Sequence, residues 1–364
     1  MNIALTGPMG AGKSEAGRLA AEALGMDFAD TDRMVMERTG KTVREIFAAD
    51  GEDSFRKFEA EAIADISKKD NLVIAVGGGA VLLPRNMRRL RSNGVIVSLE
   101  ASADILLGRL ENAADRPLLA PGRERKAGFE RYLRERSRFY ANRDFRIDTS
   151  LLTVGEVAGK ICAIANLPVI RLCGCIAGGD AESDIRVAIE GGISMVELRL
   201  DLIPHPDVKQ LVGCCAVPVI ATDRKDPRRL KEAVLAGSDF VDLDMQCPER
   251  EEIIRFARRN GCMTIVSTHD FEGVPDAFPE KGGADFLKIA ATLNCPEDFK
   301  KLVGLHAGRK DVIIAGMGTL GGLLRVVCPM LGSPVTYCSV EKPTATGQLD
   351  LQTMNDIYRG MGLR

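Results

Sequence analysis

Residues 7–14 read Gly7-Pro8-Met9-Gly10-Ala11-Gly12-Lys13-Ser14. This is the phosphate-binding pattern G-x-x-x-x-G-K-[ST], and its spacing has a mechanism. The glycines let backbone N–H groups turn inward around a β-phosphate. Lys13 reaches the β- and γ-phosphates, and the Ser14 hydroxyl can ligate Mg²⁺. The flanks agree. Asn2–Thr6 has the composition of a short buried strand, and residues 15–24 have helical spacing. A helix starting there aims its N-terminus at the phosphates. The expectation is a nucleoside-triphosphate site built from Gly10, Ala11, Gly12, Lys13 and Ser14. The motif names no acceptor.

Outward from the loop, 364 residues suit two domains rather than one. The net charge is -2, and 27% of residues are charged against 45% hydrophobic. Arg85–Arg91 and Arg131–Arg138 are interleaved with apolar or acidic residues, so they read as solvated faces or anion contacts, not a nucleic-acid surface. No apolar run approaches the roughly 20 residues of a membrane span. The first residues form a strand rather than a charged segment before an apolar one, so no signal peptide is expected. Ten cysteines without a C-x-x-C, beside three histidines, give no structural zinc pattern. Reduced thiols in a cytoplasmic protein are the expectation.

The chain changes rhythm at Leu167-Pro168, which separates an expected domain 1–166 from one at 169–364. In the first, strands at 72–76 and 94–99 alternate with helical stretches at 32–39, 59–66 and 103–110, suggesting a mostly parallel sheet covered by helices. The Arg-rich stretch 111–126 suits a lid over the site. In the second, short strands recur near residues 170, 195, 217, 240, 263, 286, 312 and 335, often just after glycine. Eight strand–helix units predict a (β/α)₈ TIM barrel, with an eight-stranded open sheet as the alternative.

Three features narrow the kinase acceptor. Asp30-Thr31-Asp32 follows a strand beside the loop. One carboxylate there can hold Mg²⁺ through water and the other can accept from a substrate hydroxyl. Arg56 in Phe55-Arg56-Lys57-Phe58-Glu59 suits bidentate pairing with a carboxylate. Gly77-Gly78-Gly79 lets backbone approach a ligand. Arg116 in the lid and Arg136 in Glu135-Arg136-Ser137-Arg138 complete the set. Each arginine alone would pass for a surface helix residue. Together, over residues 1 to about 150, they resemble shikimate kinase, of the nucleoside-monophosphate-kinase-like P-loop α/β/α fold. The resemblance implies that Asp32, Arg56, Gly78, Gly79 and Arg136 bind shikimate and that Asp32 orients or deprotonates its hydroxyl. It also implies Mg²⁺ held by Ser14 and, through water, by Asp30, with ATP held by the loop and Arg116. Ala141-Asn142-Arg143 departs from the family's usual acidic-apolar sequence.

In the second half the informative residue is Lys288, inside the apolar strand Ala284-Asp285-Phe286-Leu287-Lys288-Ile289-Ala290. Burial is expected to lower its pKa and free a neutral amine for a Schiff base. A lysine snorkelling to solvent is the plainer reading. His269, just past the preceding strand, favours the first, because successive barrel strands place both side chains at the C-terminal mouth. Glu197, Arg199 and Asp201 alternate along another strand and make poor core residues, which points to a polar ligand in the mouth. The matches Glu197-x-Arg199-x-Asp201, Ser267-x-His269-Asp270-Phe271, Lys288-Ile289-Ala290, Met317-Gly318 with Arg325, and Gly347-Gln348 make this half similar to type I 3-dehydroquinate dehydratase. The resemblance implies an imine on Lys288 and His269 as the base. It implies dehydroquinate contacts from Glu197, Arg199, Arg224, Phe271, Met317, Arg325, Thr344 and Gln348, and no cofactor.

Three departures stand out. Arg228 occupies the place of the family's glutamate partner of the histidine, with Asp226 as a substitute. The interval from His269 to Lys288 is short, so the intervening helix should be trimmed. Thr344-Ala345-Thr346 replaces S-A-P. The reading is therefore a bifunctional shikimate-pathway enzyme acting on small molecules, with a homodimer through the barrel as a further expectation. The alternatives are a shikimate kinase fused to a catalytically impaired, regulatory barrel, and another P-loop kinase fused to a Schiff-base aldolase.

Overall fold

In the computed structural model, which describes residues 1–110, 124–140 and 142–363, the chain forms two units, Met1–Leu167 and Pro168–Arg364. In the first, strands β1 (Asn2–Thr6), β2 (Asp27–Asp30), β3 (Leu72–Ala75), β4 (Gly94–Glu100) and β5 (Phe145–Asp148) make one parallel sheet in the order β2-β3-β1-β4-β5. β1 is central and wholly buried, with Ile3 opposite Val73 on one side and Val95 on the other. A strand buried on both faces reads as a continuous apolar run, which Ile3-Ala4-Leu5 is. The phosphate loop leaves its C-terminal end. Gly10 and Gly12 take φ of 81° and 84°, left-handed backbone that glycine adopts without steric cost. Gly12 then caps the helix Lys13–Leu24. The helix expected at 59–66 is longer, Gly51–Ile66. It carries Arg56 and Glu59 one turn apart.

In the second unit, parallel strands β6 (Leu172–Ile176), β7 (Met195–Arg199), β8 (Val219–Thr222), β9 (Phe240–Asp244), β10 (Met263–Asp270), β11 (Phe286–Thr292), β12 (Val312–Met317) and β13 (Thr336–Ser339) follow one another around a nearly closed barrel. The hydrogen-bonded order is β12-β11-β10-β9-β8-β7-β6-β13, and β12 and β13, the two ends of that order, lie against each other, so the sheet curls toward a barrel rather than lying open. At the β12/β13 seam the Arg325 guanidinium donates to Gly316 O at 3.0 Å and to Tyr337 O at 3.4 Å, spanning both strands.

Helices follow every strand except β10. The expected trimmed helix is absent altogether, since Gly273, Pro275, Pro279 and Gly282-Gly283 break each helical register between Phe271 and Asp285. Side chains alternate in and out with period two. Met195, Ile220, Phe240, Ile265 and Ile313 pack inside the barrel, while Val196, Leu198, Val241 and Leu243 pack outward among the residues of the helical layer. The same alternation sends Glu197, Asp242 and Lys288 inward. No described helix is long and apolar enough to cross a membrane.

Candidate active sites

Two adjoining cavities open at the C-terminal ends of the first sheet. One, of about 540 Å³, is lined by Gly10, Ala11, Gly12, Lys13 and Ser14 with Arg109 and Thr149. Lys13 Nζ lies 2.9 Å from both Gly7 O and Pro8 O, folded over the loop where phosphate oxygens would replace those carbonyls. Ser14 Oγ donates to Asp30 Oδ2 at 2.6 Å, while Asp30 Oδ1 caps the helix Thr31–Thr39 through the N–H groups of Asp32 and Arg33. A hydroxyl and a carboxylate side by side are hard oxygen donors of the type Mg²⁺ takes. Arg109 is fixed on Thr149, with Nη2 2.7 Å from its carbonyl. Arg116 and the stretch expected to form a lid lie largely outside the described residues.

The other cavity, of about 390 Å³, gathers Asp32, Arg56, Gly78, Gly79 and Arg136, all five expected acceptor residues. The two cavities share Asp32, Gly77 and Gly78, so a group transferred between them passes there. Arg56 is held by Glu59 (Nη1–Oε2, 2.8 Å) and Glu52 (Nη2–Oε1, 2.9 Å). The Arg136 guanidinium stacks over Tyr132, 4.1 Å from the ring centroid. Tyr140 donates to Gly78 O at 2.7 Å and fixes the glycine strap. A Cβ on Gly79 would collide with the Arg56 guanidinium, so any side chain there must push Arg56 aside.

Glu59 was not expected at this site. It is fully buried. Burial, then the charges of Asp32 and Glu52, push its pKa up to about 7 against the pull of Arg56. The available signal was an acid one turn from Arg56 on the apolar face that Phe55, Ala62 and Ile63 define.

The barrel mouth encloses about 760 Å³ and collects Glu197, Arg199, Arg224, His269, Phe271, Lys288, Met317, Arg325, Thr344 and Gln348. Every residue expected here faces one cavity. Lys288 is buried, with Nζ 2.9 Å from Asp242 Oδ2, 3.2 Å from Glu197 Oε1 and 4.1 Å from the centroid of Tyr337. This corrects the expected direction of its pKa. Burial alone would lower it, but Asp242 and Glu197 outweigh that and raise it. The free amine is an ammonium in a balanced cluster, since Arg224 also pairs with Asp242 at 3.0 Å. Asp242 is correspondingly held well below the usual carboxylate range by Arg224 and Lys288, despite burial. Asp242 was missed, although an acid at an inward position of β9 carries the same signal that singled out Lys288.

His269 sits at the rim, stacked on the exposed ring of Phe271. Desolvation by the surrounding protein, then the positive charges of Lys288 and Arg224, hold its pKa below the ordinary value, so it is a neutral base at pH 7. The substitute partner Asp226 is elsewhere. It caps the helix Pro227–Leu235 and is chelated by Arg228 at 2.9 and 3.0 Å. The carboxylates that oppose the lowering are Asp242 and Asp244, and Asp244 lines the cavity with the imidazole. Arg199 is locked on Asp201 by two bonds of 2.9 and 3.0 Å. Gln348 is oriented by Thr344, whose N–H and hydroxyl both donate to Oε1 at 2.7 and 3.0 Å. Arg325 is buried, with only backbone carbonyls as its described hydrogen-bond partners, so a ligand carboxylate would complete it.

Comparison with known proteins gives two family matches. The model of the family described as shikimate kinase matches residues 9–165, and that of type I 3-dehydroquinase matches residues 172–364. The shikimate kinase of Caldicellulosiruptor bescii is 45% identical over 163 residues, which is 45% of this chain and 94% of that protein. The shikimate kinase of Geobacter metallireducens is 43% identical over 162 residues, 44% of this chain and 89% of its own length. Among solved structures, a shikimate kinase from Acinetobacter baumannii in complex with shikimate has a TM-score of 0.43 at 33% identity, covering 45% of this chain and 92% of that one. A 3-dehydroquinate dehydratase from Aquifex aeolicus has a TM-score of 0.46 at 22% identity, covering 52% and 98%.

Proposed function

The chain belongs to the shikimate kinase family over residues 9–165 and to the type I 3-dehydroquinase family over residues 172–364, and on that premise we propose how each site does its chemistry. It is a bifunctional enzyme of the shikimate pathway, with a kinase and a dehydratase on one chain. The product of the dehydration still carries a ketone where the kinase substrate carries a hydroxyl. A separate reduction must intervene.

In the kinase, the loop and Lys13 hold the triphosphate of ATP, and Ser14 with Asp30 would hold Mg²⁺, Asp30 through water. The ion would supply positive charge that neutralises the triphosphate. Arg56 and Arg136 take the shikimate carboxylate, and Gly78 and Gly79 let its ring lie against backbone. Asp32, shared by both cavities, orients the attacking hydroxyl and receives its proton. Catalysis is then positioning and charge neutralisation. Gly79→Ala should raise KM for shikimate at least about tenfold with KM for ATP little changed, because the added methyl displaces Arg56. Equal changes in both constants in steady-state assays would count against this placement.

In the dehydratase, the observation that carries the reading is Lys288 paired with two buried carboxylates in the mouth of the barrel. Lys288 Nζ passes a proton to His269 and adds to the ketone of 3-dehydroquinate; His269 returns that proton to the former ketone oxygen, which leaves as water as the protonated imine forms. Asp242 and Glu197, which make the free ammonium hard to deprotonate, also stabilise the protonated imine that replaces it. That cation draws electrons from the adjacent carbon, and His269 removes the proton there. The C1 hydroxyl then departs as water, protonated by His269, and hydrolysis frees the product. Arg325 and Gln348 hold the carboxylate, and Arg199 and Arg224 the ring hydroxyls.

A base with a lowered pKa predicts a flat rate through neutrality and an acid limb below pH 6.5 in kcat/KM. His269→Ala should lower kcat by about 10²–10⁴-fold and remove that limb. A pH–rate profile checks both, and an unchanged limb in the variant would assign it to another group. The test of the whole reading is a pair of assays on one purified chain, shikimate-dependent ADP release and enone absorbance from dehydroquinate. A regulatory barrel would give the first without the second.

A further inference from the structure

Glu59 lies fully buried beneath the acceptor cavity of the kinase. Its Oε2 pairs with Arg56, and no described group donates to its Oε1. Glu59 and Asp32 flank the same point of the strap: a Cβ built on Gly77 would meet Glu59 Oε1 and Asp32 Oδ1 at once. The half-buried Asp32 carboxylate favours the protonated form of Glu59, since a proton on one of two neighbouring acids relieves their repulsion. Arg56 is the group that favours the ionised form of Glu59. It is also the group assigned above to the shikimate carboxylate, and one guanidinium cannot give the same N–H bonds to both.

We propose that shikimate binding at this site is proton-linked: the incoming carboxylate takes Arg56 from Glu59, and Glu59 takes up a proton from solvent, its O–H then serving the neighbouring Asp32. The inference rests on the assignment of the cavity as the shikimate site. The charge balance is complete. One anion arrives, one carboxylate is neutralised, and Arg56 keeps a single buried counter-ion. Other charges bear on Glu59 as well. Asp32 and Glu52 both favour its protonated form. Arg44 and Arg136 line the cavity from other helices. The switch therefore falls to Glu59, and its pKa near 7 makes the exchange measurable in ordinary buffers.

Linkage gives the sign. In the free protein Glu59 is about half ionised at pH 7, and loss of Arg56 raises its pKa further on binding. Affinity for shikimate should accordingly fall by about five- to tenfold from pH 6.5 to 8. The experiment is titration calorimetry of the full chain with shikimate at pH 7.0 in two buffers of different ionisation enthalpy. Net uptake of about half a proton per shikimate bound is expected. In Glu59→Gln the uptake should vanish and Kd should be flat across that pH range. Binding without proton uptake by the native chain would overturn the proposal and leave the acceptor site standing. No binding of shikimate would overturn both. Uptake that persists in Glu59→Gln would place the proton on another group and overturn it as well. A glutamate that merely braces Arg56 would leave Kd in the native chain independent of pH.

Discussion

Replacing Lys288 with alanine should abolish dehydratase activity, by about 10⁵-fold or more, the scale on which deletion of a covalent nucleophile acts. No other amine can take its place, because the cation it forms must sit where Asp242 and Glu197 converge. Borohydride added with dehydroquinate should trap an adduct on the native chain and none on the variant, read by intact mass. The variant also leaves two buried carboxylates without their ammonium. Arg224 still pairs with Asp242, but Glu197 loses a partner. Breaking a buried pair in this way costs about 3–5 kcal/mol, so the barrel should melt earlier. Lys288→Met fills the space without the charge and serves as the second variant. If native protein gives no adduct, the imine mechanism is wrong. If Lys288→Met retains turnover, the nucleophile has been misassigned.

Lys13→Ala should have the second largest effect. It removes the side chain that reaches the β- and γ-phosphates, and kinase kcat/KM should fall by about 10³-fold or more. The fold should survive. Lys13 is only partly buried, its described hydrogen bonds include those to the loop carbonyls of Gly7 and Pro8, and the loop's course is set by Gly10 and Gly12. Enone formation should be unchanged, since the second site uses no nucleotide. The two lysine variants together form a crossed test, each losing one activity and keeping the other. Loss of both activities in either variant would mean that the two sites are not independent.

Much of this was legible because it is local or periodic. The loop 7–14 carries its own strand, turn and helix, so its reading needed no distant residue. The eight barrel strands announced themselves through short β-rich runs behind glycines. Of the ten residues expected at the mouth, Glu197, Arg199, His269, Lys288 and Met317 arrive there because inward positions alternate regularly along each strand, and the others sit past the C-terminal ends of strands. The errors arose where the answer depends on who meets whom. Asp226 was close in sequence to the missing glutamate's place, yet Arg228 holds it away from the mouth. Glu59 is one acid among several on its helix in the sequence, and only the fold buries it against Arg56 and the glycine strap.

By itself, the sequence determined the two folds, the phosphate loop with Lys13 and Ser14, and the presence of an amine and an imidazole at one barrel mouth. The tertiary structure alone decided the electrostatics. Lys288 was expected to be neutralised by burial, and it is instead kept charged by Glu197, 91 positions away, and Asp242, 46 positions away. Burial can be inferred from a strand's own residues. The sign of a pKa shift cannot, because desolvation is opposed by charges that only the closed barrel brings within 3.2 Å.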